Sequence, residues 1–119
     1  MDSKDFYCLH SELCKTLANA TRQHILDLLR EGELTVGDIV SHIGGSQANI
    51  SQHLALMRAK GIVNARREGS YAYYSIANRK IFQAFDLISE VMRESLETRN
   101  RTVDGAVGRP ANEEDNRDA

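Results

Sequence analysis

The 119-residue sequence predicts a mainly α-helical (α+β) fold whose elements follow the order α-α-α-α-β-β-α. Two observations predict this order. Before residue 60, four segments place apolar residues at helical spacing, and a capping residue precedes the second, third and fourth of them. Residues 62–76 then hold two alternating segments around a glycine turn, which is the pattern of a β-hairpin. A last apolar helix follows, and the length suits one small domain.

Local signals set the bounds of the first three predicted helices. The first spans 5–17, and its apolar residues at positions 6, 9, 13 and 17 form one stripe that we expect to be buried. Asn19 or Thr21 caps the second, which stops at Glu31-Gly32. Thr35 and Asp38 have capping-box spacing and begin a short third helix. Residues predicted to face the core in the second to fourth helices are Ile25, Leu26, Leu28, Leu29, Ile39, Val40, Ile43, Ile50, Leu54 and Met57.

The fourth predicted helix starts at a Ser46 cap after Gly44-Gly45 and ends at Lys60-Gly61. Its outer face is small or amide-bearing, because it presents Gln47, Ala48, Ser51, Gln52 and Ala55. A short helix, a glycine turn and such a second helix form a helix-turn-helix. The hairpin of strands 62–67 and 71–76, joined by Glu68-Gly69-Ser70, is then a wing. The fold is therefore predicted to be a winged helix-turn-helix.

The last predicted helix, from Asn78 to about Thr98, is too apolar for one small core to cover. Its apolar residues are Ile81, Phe82, Phe85, Ile88, Val91, Met92 and Leu96. We therefore expect a homodimer through the first and last helices, with 1–98 as the winged-helix and dimerisation domain. Residues 99–119 contain the single proline and no apolar periodicity, so we expect a disordered acidic tail.

Charge is distributed unevenly along the chain. The formal net charge is −2, yet residues 46–80 hold six basic side chains and one acidic side chain. This local excess suits a phosphate backbone, so double-stranded DNA is the expected partner. The sequence has no apolar run of the roughly 20 residues that a membrane-spanning helix needs, and its N-terminus lacks a signal pattern. We expect a cytoplasmic protein whose two cysteines are reduced.

The predicted DNA contacts divide between the fourth helix and the wing. Amides can pair with adenine edges in the major groove, which favours Gln47, Ala48, Ser51 and Gln52 as the groove-facing set. The expected backbone or minor-groove contacts of the wing are Arg66, Arg67 and the tip Gly69. Arg22, Arg58 and Lys60 are candidate phosphate contacts, with the alternative that these helix-end cations stabilise the carbonyl ends of their helices. For His53, two interpretations stay open, a structural role beside Leu54 and Met57 or a contact with the DNA backbone.

Three segments in this order resemble the ArsR/SmtB family of small bacterial winged-helix repressors over about residues 10–97. They are LCKTLANATRQHILDLL, LTVGDI and ISQHLALMRAKGIVNARREGSYAYYSI. The resemblance implies a homodimer that binds an inverted-repeat operator and leaves it when an inducer is sensed. The family's recognition-helix pattern falls on Ser51, His53 and Leu54, and its basic wing residues fall on Arg66 and Arg67.

The sequence departs from the family at the usual sensing sites. Many metal-sensing members have Leu-Cys-Val-Cys-Asp in the third helix, whereas this chain has Leu34-Thr-Val-Gly-Asp38 and lacks both thiols. The family's second metal site, on the last helix, is not intact either, and the cysteine pair of its sulfur-sensing members is missing. The resemblance therefore names no inducer for this chain.

Cys8, His10 and Cys14 are the soft-ligand residues of the first helix, and they are the candidate sensor. Three interpretations are open: a soft-metal or arsenite-type thiolate site, redox or sulfur-species sensing, and a purely structural role for the cysteines. Cys8 and Cys14 lie about 9 Å apart along a straight helix, so no disulfide can join them within one intact helix. Either the first turn is frayed or the thiols act across the dimer. A soft metal or metalloid ion, bound by the cysteine thiolates, is the one cofactor that these residues suggest.

The sequence does not favour an enzyme. It contains no phosphate-cradling glycine loop and no His-Glu-x-x-His motif, and Ser51 and His53 point to different sides of their helix. The alternative to a DNA-binding repressor is a winged helix used for protein–protein contact, which the acidic tail allows.

Overall fold

The computed structural model describes the backbone of residues 1–103 and the side chains of residues 1–100. Its helices are α1 (Ser3–Leu17), α2 (Ala20–Leu28), α3 (Val36–Ile43), α4 (Gln47–Ala59) and α5 (Lys80–Val103), and a 3-10 turn at Leu29–Glu31 follows α2. The strands are β1 (Leu34–Thr35), β2 (Val63–Glu68) and β3 (Tyr71–Ile76). The chain divides into two compact units, one formed by residues 1–78 and one beginning at Arg79.

The predicted mainly α winged fold is confirmed, with one added strand. β1 pairs antiparallel with β3 to give a three-stranded sheet of order β1-β3-β2. Because β1 contains two residues, it has no alternation that a sequence pattern could reveal. The β2–β3 hairpin is regular, with Val63 opposite Ile76 and Glu68 opposite Tyr71.

Capping side chains start α2, α3 and α4 where the sequence predicts, whereas α1 begins two residues earlier than predicted, at Ser3. Asn19 Oδ1 accepts from the Arg22 amide at 3.0 Å, which chooses Asn19 over Thr21 as the cap of α2. Thr35 and Asp38 form a reciprocal capping box at 3.0 and 3.1 Å. Ser46 Oγ accepts from the Asn49 amide at 3.0 Å and begins α4. These bonds satisfy amides that have no partner inside their helix.

The core of residues 1–78 lies between α2, α3, α4 and the start of β2. Its members are each at most 4% exposed, and they are Ile25, Leu26, Leu29, Ile39, Ile50, Leu54, Met57, Ile62 and Val63. Leu28, Val40 and Ile43, which were also expected in the core, are half-buried. The α4 residues Ile50, Leu54 and Met57 are buried at the predicted i, i+4, i+7 spacing.

The prediction of a buried stripe on α1 is wrong for the single chain. Phe6, Leu9 and Leu13 are exposed, and Thr16 is the one buried residue of this helix. Amphipathic spacing identifies a face that avoids water but does not show what covers that face. The rest of the 1–78 unit therefore does not cover this stripe.

The last helix is longer than predicted. α5 runs to Val103 rather than to about Thr98, so the expectation of disorder is wrong for residues 99–103. The segment holds no proline or glycine before Gly105, and the helix has no local reason to stop earlier. Residues 104–119 of the predicted tail lie outside the described residues. Within the described part of the chain, no helix is both long enough and apolar enough to span a bilayer.

Arg22 links three helices of the 1–78 unit. Its Nη1 donates to the Thr16 carbonyl near the end of α1 at 3.0 Å. Its Nε donates to Nδ1 of His53 in α4 at 3.2 Å. A neutral imidazole can accept this bond and a protonated one cannot. Burial, and then the positive charge of Arg22, lower the pKa of His53 below its ordinary 6.5.

This link predicts an acid-sensitive fold. The unfolded chain protonates His53 near pH 6.5, whereas the folded chain does so only at lower pH, so the unfolded state binds more protons between those values. The free energy of unfolding should therefore fall as the pH falls below about 6.5, and it should level off below the folded pKa. The measurement is urea denaturation at pH 7.5, 6.5 and 5.5, at fixed protein concentration.

The His53→Gln variant is the matched control, because an amide oxygen still accepts from Arg22 but does not titrate. The variant should lose less stability than the wild type between pH 7.5 and 5.5. Equal losses in the two proteins would contradict the assignment.

Candidate nucleic-acid interface

The outer face of α4 is polar and open. Gln47, Ala48 and Gln52 are exposed and Ser51 is half-buried, on the side of the helix opposite Ile50, Leu54 and Met57. Residues 47 and 51, like 48 and 52, are one turn apart, so the four side chains form a continuous strip at the start of the helix. An amide-bearing strip on an exposed helix can meet base edges in a major groove.

The N-terminus of α4 is free of acidic residues. Ser46 caps the helix, and its first turn contains no Asp or Glu. The helix macrodipole places partial positive charge at this end, and an acidic side chain would neutralise it. This end of the helix is thus suited to approach an anion such as a phosphate.

The wing is a tight two-residue hairpin. Gly69 has a φ of +63°, a region that side chains with a Cβ rarely adopt, which explains the glycine at the tip. Glu68 and Tyr71 pair as the last residues of the two strands, so the turn itself is Gly69-Ser70. The predicted three-residue turn is one residue shorter in the structure.

The two predicted wing arginines lie in different environments. Arg66 donates from Nε and Nη2 to both carboxylate oxygens of Glu33, at 2.8 and 2.9 Å, and from Nη1 to Glu68 at 2.8 Å. Its guanidinium also lies 4.8 Å from the centre of the Tyr73 ring. The hydrogen bond from Arg66 lowers the pKa of Glu33, and both carboxylates raise the pKa of Arg66. Arg67 is exposed and makes no hydrogen bond or ion pair with any residue that the structure describes.

The remaining predicted DNA contacts also divide into side chains with a partner in the protein and side chains without one. Arg58 is exposed near the end of α4 and has no partner among residues 1–100. Lys60 lies 3.5 Å from a carboxylate oxygen of Glu12 in α1. His53 is half-buried and holds Arg22, which favours the structural interpretation of this residue over a contact with DNA.

The candidate sensor residues lie on one continuous helix. α1 runs unbroken from Ser3 to Leu17, which excludes the frayed first turn that the sequence left open. Cys8 and Cys14 are exposed free thiols, and Cys14 Sγ lies 3.6 Å from His10 Nδ1. Among the described residues, no three His, Cys, Asp or Glu side chains are grouped so as to hold a metal ion.

Sequence reasoning missed Glu12, Arg22 and Glu33 as the partners of Lys60, His53 and Arg66. Arg22 was predicted only as a phosphate contact, and neither acid was predicted to take part in the interface. Glu33 and Arg66 are 33 residues apart, and Arg22 and His53 are 31 apart. No local spacing rule covers pairs so distant in sequence, and in this single sequence only the surplus of acids before residue 46 gave any hint of them.

Comparison with known proteins gives the same fold and class. Residues 19–65 match the family described as bacterial regulatory protein, arsR family. The HTH-type transcriptional regulator Rv0081 of Mycobacterium tuberculosis is 38% identical over 100 residues, covering 83% of this chain and 88% of Rv0081. Its crystal structure has a TM-score of 0.73 and 38% identity, over 79% of this chain and 95% of that one.

Two further relatives support the same fold and the same class of regulator. The homodimeric winged helix-turn-helix DNA-binding domain of Mb0332 from Mycobacterium bovis, a possible ArsR-family regulator, has a TM-score of 0.72 and 34% identity. The match covers 82% of this chain and 93% of that domain. The transcriptional repressor SdpR of Bacillus subtilis is 39% identical over 62 residues, covering 52% of this chain and 69% of SdpR. From its fold, its exposed recognition helix and these relatives, the chain belongs to the ArsR family of winged helix-turn-helix, DNA-binding transcriptional regulators.

Proposed function

We propose that this regulator is a homodimeric repressor that binds an inverted-repeat operator and releases it when an inducer acts on α1. The observation that carries the DNA-binding part is the exposed strip of Gln47, Ala48, Ser51 and Gln52 over a fully buried inner face. SdpR, a relative of this chain, is named as a repressor. A two-fold dimer presents two such strips, and this symmetry suits an operator with two inverted half-sites.

The strip also suggests how sequence is read. A glutamine amide offers a donor and an acceptor together, which matches the N6 and N7 positions of adenine. Gln47 and Gln52 extend from the first half of α4 and are both exposed, so both are available to base edges. Ala48 is exposed, and its methyl group can contact a thymine methyl group.

We predict that Gln47→Ala changes sequence preference rather than general affinity. The test selects bound duplexes from a random pool with wild-type protein and then measures affinity for the selected sequence and its single-base variants. Discrimination at one position of each half-site should fall by about 1–3 kcal/mol in the variant. Gln83→Ala, which removes an exposed glutamine from α5, is the matched control and should retain the preference.

The outcome separates the two functions considered. Enrichment of an inverted repeat by the wild type supports the repressor. If the wild-type protein binds the selected sequence no more tightly than it binds a duplex of scrambled sequence, operator recognition is contradicted and the protein-contact alternative is favoured.

Exposed apolar side chains support the proposed dimer. On α5, Leu87, Ile88, Val91, Met92 and Leu96 are between 45% and 69% exposed. On α1, Phe6, Tyr7, Leu9 and Leu13 are also exposed. Burial of apolar surface contributes roughly 25 cal/mol per Å², so faces of this kind favour association. The homodimeric state of the Mb0332 domain agrees with this assembly.

We predict that Ile88→Glu/Met92→Glu dissociates the dimer at micromolar concentration, because two charges would otherwise be buried in the seam. Sedimentation velocity measures the oligomeric state, and far-UV circular dichroism reports whether the helices remain folded. Arg93→Glu changes the charge by the same amount on the opposite side of α5 and should stay dimeric. A folded double variant that remains dimeric would show that the seam lies elsewhere.

The sensor is proposed to be the Cys8, His10 and Cys14 face of α1. The 3.6 Å approach of Cys14 Sγ to His10 Nδ1 brings together two donors that soft metals prefer. A metal would then need a further donor from the second subunit, such as Cys8. Reaction of the thiols with an oxidant or a sulfur species is the other possibility, with a disulfide formed between subunits.

Contacts between α1 and the rest of the unit give this sensor a route to α4. Glu12 of α1 pairs with Lys60 at the end of α4, and the Thr16 carbonyl of α1 holds Arg22, which holds His53. A displacement of α1 by modification or metal binding would disturb both contacts. We therefore infer that α1 is the helix through which an inducer changes operator affinity.

We predict that one class of reagent among arsenite, zinc, hydrogen peroxide and a persulfide donor releases the operator from the wild-type protein. Cys8→Ser/Cys14→Ser should abolish release, whereas Ser11→Ala on the same helix should not. His10→Gln separates the two chemistries, since it removes a metal donor but leaves both thiols. If every reagent that releases the operator from the wild type also releases it from the double serine variant, the sensor is not on α1.

A further inference from the structure

Strand geometry assigns the two wing arginines to opposite faces of the hairpin. β2 and β3 pair in unbroken register, with Arg66 opposite Tyr73 and Arg67 opposite Ala72. Successive residues of a strand point to opposite sides of the sheet. Val63 begins β2 and is 1% exposed, so the face it shares with Arg67 is the core side of the hairpin. Arg66 lies on the outer face with Glu68 and Tyr73.

The surroundings of Arg66 do not favour a phosphate. Glu33 binds its guanidinium with both oxygens, and Glu68 binds a third N–H. One cation and two carboxylates leave this cluster with a formal charge of −1, which repels a phosphate. The ring of Tyr73 lies 4.8 Å from the guanidinium carbon and limits its movement further. Three of the five N–H groups of Arg66 are already bonded to carboxylates, so a phosphate would have to compete with Glu33 and Glu68 for this guanidinium.

The surroundings of Arg67, in contrast, favour a phosphate. Its guanidinium has no partner among the described residues. Ala72, which lies across from it, is too small to cover it. The side chain of Arg67 lies on the same face of the hairpin as Val63, which is part of the core. Arg67 is thus the wing cation that has no partner among the described residues, and it lies on the core-side face of the hairpin.

We propose that the two arginines have separate tasks: Arg67 contacts a DNA phosphate, and Arg66 is a positioning residue that fixes the wing through Glu33, Glu68 and Tyr73. The inference rests on the proposed operator binding through α4 and the wing. A fixed wing presents Arg67 in place before DNA arrives, which spares the ordering of a loose hairpin on binding. The acids beside Arg66 also reduce the charge that the wing offers to unrelated duplexes.

The test measures the dependence of log K on log[salt] for the selected operator. Each phosphate contact contributes about 0.9 to the slope. Arg67→Ala should make the slope shallower by about 0.9 per subunit, and Arg67→Lys should restore it because lysine also neutralises a phosphate. Arg66→Ala should shift the line to about two- to tenfold weaker binding without changing its slope.

Conservative variants separate positioning from charge. Arg66→Lys keeps the charge but cannot form the two-pronged bond to Glu33, so it should bind as weakly as Arg66→Ala. Glu33→Gln should cause the same parallel shift, because it removes the other partner. Arg93→Ala, which removes an exposed cation from α5, is the charge control. Thermal unfolding of each variant checks that the domain stays folded.

The possible results decide between the two proposals. A shallower slope for Arg66→Ala, rescue by Arg66→Lys, or a steeper slope for Glu33→Gln would overturn the division of tasks. An unchanged slope for Arg67→Ala would also overturn it, while a sequence preference altered by Gln47→Ala would leave the proposed function standing. Absence of sequence-selective binding by the wild type would instead remove the proposed function itself.

Discussion

Burial of one side of α4 constrains the rest of the DNA-binding unit. Ile50, Leu54 and Met57 are at most 1% exposed, so the helix cannot rotate without bringing apolar side chains into water. The same burial fixes where the chain goes next, since the Ile62 amide donates to the Met57 carbonyl at 2.9 Å and Val63 enters the core directly after it. The outward strip of α4 and the start of the wing therefore have one common cause. An interface built on this helix inherits its rigidity.

Elements governed by short-range chemistry were predictable from the sequence. The caps at Asn19, Thr35 and Ser46, and the positive φ at Gly69, each depend on residues within about three positions of one another. The end of α5 was predicted too early. Apolar spacing reveals a helix only where the helix has an apolar face, and the last turns of α5 are polar. β1 was missed since its two residues gain their strand character only by pairing with β3.

The charge of the interface could not be predicted from a local count. Residues 46–80 contain six cations and one acid, but acids from earlier in the chain fold back onto two of these cations. Glu12 pairs with Lys60, and Glu33 pairs with Arg66. Arg58 and Arg67 are left without partners among the described residues. The potential that DNA meets is thus set by tertiary contacts between segments that the sequence count treats separately, and it is smaller and more localised than that count suggests.

The same kind of long-range contact links α1, the proposed sensor helix, to the recognition helix α4. α1 has one buried residue, so packing within the single chain holds this helix weakly. Its polar links to α4, through Glu12 with Lys60 and through Arg22 with His53, supply part of what holds it in place. Within one chain, few buried contacts and two polar links oppose a shift of α1, whereas α4 cannot leave its core. In the proposed mechanism, a signal acting on α1 alters how two intact α4 helices are presented to DNA, without unfolding either one.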